Sequence, residues 1–108
     1  MLKRSGNTIL GNSRRQRMDL ERAEEVGLAA LAFLTEEPQR LTRFVSMSGL
    51  TPAELGAQAA EPLMQAAMLE HLLADETLLL VFSADKRIEP EDVGPACRLL
   101  AGSHESDP

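Results

Sequence analysis

Thr77-Leu78-Leu79-Leu80-Val81-Phe82 is the stretch on which the fold of this chain turns. Read alone, a short apolar run of this length fits a buried strand as well as a helix segment. A shift of the chain by 38 residues resolves the ambiguity. Residues 31–60 then lie over residues 69–98 without a gap. Leu31, Leu34, Leu41, Phe44, Pro52 and Gly56 meet Leu69, Leu72, Leu79, Phe82, Pro90 and Gly94. Leu50, Glu54 and Leu55 meet Ile88, Asp92 and Val93. These matches fall on core-type residues and helix starts, the mark of an internal repeat. The partner of 77–82 is Gln39-Arg40-Leu41-Thr42-Arg43-Phe44, which is plainly amphipathic and helical. Both stretches therefore read as helices.

Outward from there, the whole body takes a helical period. Leu20, Ala23, Val26, Ala30, Leu31 and Leu34 recur at three- and four-residue spacings, with Glu21, Glu24 and Glu25 near the positive end of the dipole. Pro38 opens a second helix that stops near Ser48-Gly49. Thr51-Pro52-Ala53-Glu54 carries a capping residue, a proline suited to the first turn, and the acid of a capping box, so a short third helix runs to about Ala60. Pro62 starts a fourth, ending near Ala74-Asp75, residues 77–86 give a fifth, and 90–100 a sixth.

Composition agrees with an all-α protein. The chain of 108 residues is 44% hydrophobic but only 3% aromatic, so Leu, Ala, Val and Met must build the core, as helix-on-helix packing allows. A sandwich or barrel would call for more β-branched and aromatic residues. The expected architecture is a compact bundle of five to six short helices, two tandem three-helix units sharing one core about an approximate twofold axis. We expect a helical domain over 18–101, a polar tail over 102–108, and a basic N-terminal tail over 1–17 that reads as disordered. One cysteine permits no internal disulfide, and no apolar run is long enough to cross a bilayer, so a cytoplasmic location is expected.

The net charge of −6 conceals a division. Residues 1–17 hold five basic residues and no acid, whereas 18–108 hold six basic residues against seventeen acids, a charge of −11. Such a body repels nucleic acids and anionic membranes. Only the tail, through Arg14, Arg15 and Arg17, offers weak and salt-sensitive nucleic-acid binding as an alternative function. Residues 44–61 have helix–turn–helix spacing, but the second helix presents only Gln58 between Glu54 and Glu61, which argues against base reading.

No residues suggest catalysis. His71 matches Phe33 in the repeat and Cys97 matches Ala59, so both read as packed side chains and not as a base and a nucleophile. His104 falls in the polar tail. One His and one Cys in the body do not make a metal site, and no phosphate-cradling glycine motif or nucleophile elbow occurs. Neither a cofactor nor a metal is expected, and the chain reads as a non-enzyme. Met47, Met64 and Met68 are all expected in the core, with a pliable groove lined by the three as the alternative.

The halves differ most in their middle helices. Arg40, Thr42 and Arg43 in the first half are replaced by Leu78, Leu80 and Val81 in the second. A helix apolar all round is either covered on every side or presents an apolar patch to a partner. Leu78, Leu80 and Val81 are thus the candidate interface, to another protein or, most simply, to a second copy in a homodimer.

Ala29-Ala30-Leu31-Ala32-Phe33-Leu34, Leu41-x-x-Phe44, Gly49-Leu50-Thr51-Pro52-x-Glu54-Leu55 and Leu72-Leu73-Ala74-Asp75-Glu76 together resemble a group of small alphaproteobacterial proteins catalogued as domain of unknown function 3572. The resemblance covers roughly residues 22–101 and implies a cytoplasmic bacterial protein; it carries over no functional residues. Members begin close to the first helix, which makes 1–17 a departure and Met18 an alternative start.

Overall fold

A computed structural model describes residues 18–105, and among these six helices and no strand are found. They are α1 (Leu20–Glu36), α2 (Pro38–Ser48), α3 (Pro52–Gln58), α4 (Pro62–Leu73), α5 (Glu76–Lys86) and α6 (Pro90–Glu105). The helical reading of 77–82 holds. Arg14, Arg15 and Arg17, with the rest of 1–17, lie outside the described residues.

Each helix start has a local cause. Asp19 caps α1, its carboxylate accepting from the Arg22 N–H at 2.8 Å, and Asp75 does the same for α5 through the Leu78 N–H at 3.1 Å. The capping box of α3 forms as read: Thr51 Oγ1 accepts from the Glu54 N–H (3.0 Å), and Glu54 Oε1 accepts from the Thr51 N–H (2.9 Å). Prolines open α2, α3, α4 and α6. The last helix runs on to Glu105, past the stop read near Leu100 and through Gly102.

The core is a three-helix arrangement in which α6 packs against both α4 and α1, and α1 crosses α4. Phe33, Phe44, Phe82, Leu34, Met68, Leu69, Leu72, Val93 and Leu100 are buried there. The crossing of α1 and α4 is close at Gly27, where an added Cβ would sit 2.8–2.9 Å from the Gln65 side chain. Outside this core, α2 rests on α1 and α5 rests on α4 and α1, while α3 contributes only Leu55. Lys86 Nζ donates to Glu36 Oε2 at 2.6 Å and ties the last turn of α5 to that of α1.

Positions 38 residues apart play matching parts in several places. The bounds of α2 and α5 differ by that number at both ends, as do the prolines that open α3 and α6. Gly49 and Arg87 end α2 and α5 with φ of 80° and 58°, their N–H groups donating to the Val45 and Ser83 carbonyls. Phe33 meets Phe82 edge-on (centroids 5.4 Å apart), and Phe44 meets His71 edge-on at 5.2 Å. The second pair is the first with its members exchanged between halves. The outer members differ in length, since α1 has 17 residues to the 12 of α4, and α6 has 16 to the 7 of α3.

Candidate interaction surface

The direction of each side chain on α5 follows from how the helix is seated. Phe82 and Ser83 are buried, and Leu78 and Leu79 are half-buried against the core. The opposite side is left open, with Leu80 50% and Val81 44% exposed. Of the three residues proposed from sequence, Leu78 therefore belongs partly to the fold, and Leu80 and Val81 form the surface. Exposed Thr77 and Ala84 complete this face, with exposed Glu76 and Asp85 near its two ends.

The polar face of α2 is not uniform either. Arg40 is half-buried: its Nη1 donates to the Phe33 carbonyl at 3.0 Å, and its guanidinium carbon lies 3.8 Å from the centroid of the Phe33 ring. Its cation thus serves the fold. Arg43 is exposed, and Met47, one turn further on, is 65% exposed while Met64 and Met68 are core residues. The exposure of Met47 was not legible in the sequence, because methionine at helical spacing gives no sign of which side is covered.

At the residues 38 positions on from Phe33 and Arg40 stand His71 and Leu78, and here the packing is less complete. Two shallow hollows of about 310 and 270 Å³ share Arg43, His71 and Asp75 as lining. Burial holds the His71 imidazole below the usual histidine range, with Arg43 adding to the shift and Asp75 opposing it. The folded state therefore favours neutral His71, and its contribution to stability is present above about pH 6.5, the unfolded value. It is lost as pH falls from there through the depressed folded pKa. We expect the urea midpoint of the protein to fall between pH 7.5 and 5.5, and His71→Phe to reduce that fall. An unchanged pH response in His71→Phe would remove His71 as its source.

Cys97 is a core residue. Its Sγ donates to the Ala66 carbonyl (3.4 Å), and burial raises its pKa, with Glu70 adding and Arg98 opposing. A buried thiol held protonated is a poor nucleophile. Among the described residues no group of three His, Cys, Asp or Glu side chains could hold a metal ion, and no helix is long and apolar enough to cross a membrane.

Fold and surface together define a small helical domain, with six helices among the described residues and with Leu80 and Val81 exposed side by side on α5. The chain belongs to the family described as Protein of unknown function (DUF3572), whose sequence pattern matches residues 20–103. No curated protein and no solved structure matches it.

Proposed function

We propose that this protein is a non-enzymatic interaction module, resident in the cytoplasm, that binds a protein partner through the outer face of α5. The observation that carries this reading is the exposure of Leu80 and Val81 at the two positions where α2 presents Thr42 and Arg43. A soluble surface helix ordinarily keeps such positions polar. The engagement of His71 and Cys97 in packing supports a role other than catalysis. We further propose that the matching parts played by residues 38 apart reflect duplication of a three-helix unit, which leaves one copy of the middle helix polar and the other free to bind.

Completing the burial of Leu80 and Val81 contributes about 2 kcal/mol. A micromolar complex needs about 8 kcal/mol, so the two side chains are anchors within a larger contact. Leu80→Glu tests the surface directly. Helix content should be unchanged and stability altered by no more than about 0.5 kcal/mol, as for an exposed site. Collapse of the helical signal would show that Leu80 is internal, and the reading would fail.

A further inference from the structure

On the premise that the α5 face is a binding surface, we infer that its occupant is α2 of a second copy, in a dimer whose twofold axis makes the α2–α5 contact twice. The charge layout selects this occupant. A second copy carries −11 over residues 18–108, so acid meets acid over most approaches. The stretch 38–53 is the longest acid-free run among the described residues, and it holds two arginines. Arg40 is committed to Phe33, whereas Arg43 is exposed and enters no ion pair among the described residues. Arg43 lines a hollow with Asp75 and Glu76 of its own chain, and its exposed guanidinium is free to reach outward from there.

The α5 face is complementary to it. Glu76 and Asp85 flank Leu80 and Val81, Asp85 lying 3.7 Å from Lys86 Nζ, so an incoming helix brings its cation chiefly to Glu76, beside an apolar group. Arg43 and Met47, four residues apart, supply both on one side of α2. Both helices have 11 residues and can lie along each other over their full length. Because a twofold contact is self-complementary, each copy gives one α2 and one α5, and no edge is left to propagate a filament.

The test is a charge exchange read as molar mass by light scattering with refractive-index detection, since the chain has no Trp or Tyr. The full chain should read twice its 11.8 kDa. Arg43→Glu alone places like charges at both contacts, and so does the double variant Glu76→Arg/Asp85→Arg. Each should weaken dimerisation by at least about tenfold. An equimolar mixture of the two restores opposite charges at both contacts and should recover the dimer. The inference is overturned by a wild-type mass of 11.8 kDa at concentrations up to about 1 mM. It is equally overturned by a mixture that stays monomeric while circular dichroism shows both variants folded. In either case a folded Leu80→Glu variant leaves the α5 face standing as a surface for a different protein. An unfolded one removes the face itself.

Discussion

Phe82→Ala should cut the stability of the protein to about half or less. Phe82 is fully buried, lies edge-on to Phe33 at 5.4 Å, and is the principal side chain by which α5 enters the core. Truncating a buried phenylalanine costs about 3–5 kcal/mol, from lost transfer energy and from the cavity left behind. A domain of this size has about 5–10 kcal/mol in all. Roughly half of that would go in one substitution. Urea titration followed by circular dichroism should show the midpoint falling to about half or less, and Phe82→Leu should lie between the two. A loss below about 1 kcal/mol would mean that α5 is not docked through Phe82.

The second large effect is expected at Gly27, where two opposing terms can be compared. Alanine in place of glycine inside a helix gains up to about 1 kcal/mol of propensity. At Gly27, however, the new Cβ would stand 2.8–2.9 Å from Oε1, Cβ and Cδ of Gln65. The amide end of Gln65 can swing away, but its Cβ is fixed to the backbone of α4. The helices must therefore move apart, and overpacking of this kind costs about 1–3 kcal/mol. Steric cost wins. Gly27→Ala should be destabilising despite its better propensity, and Gly27→Val more so because the branch adds to the clash. Gln65→Ala should recover part of the loss in Gly27→Ala by clearing Oε1 and Cδ. A stabilised Gly27→Ala would show that α1 and α4 cross elsewhere.

These two sites differ in how far sequence reading could reach them. Phe82 announces itself as a core residue, since it shares its position with Phe44 in an amphipathic helix. Gly27 gives no such warning: inside an apolar helix a glycine signals close approach only when the partner is known. The caps divide in the same way. Thr51 and Glu54 form a two-residue signature, and their box appears as read. Asp19 and Asp75 lie close to other acids, and only backbone geometry distinguishes a capping carboxylate from a solvated one. The overrun of α6 has a physical cause as well. Glycine costs a helix only about 1 kcal/mol, and a helix docked through buried Val93, Ala96 and Leu100 can absorb it.

Sequence by itself determined the class of the fold, the six helices and most of their ends, and a family membership that the match over 20–103 bears out. Periodicity, prolines and capping residues are local causes, and they act within a few residues of their effects. Tertiary structure alone decided which of the apolar positions meet water. It turned Leu80, Val81 and Met47 outward, folded Arg40 over Phe33, and brought Gly27 against Gln65. The reason is that exposure depends on the rotation and crossing of helices distant in the chain, and an apolar residue carries no record of which neighbour will cover it.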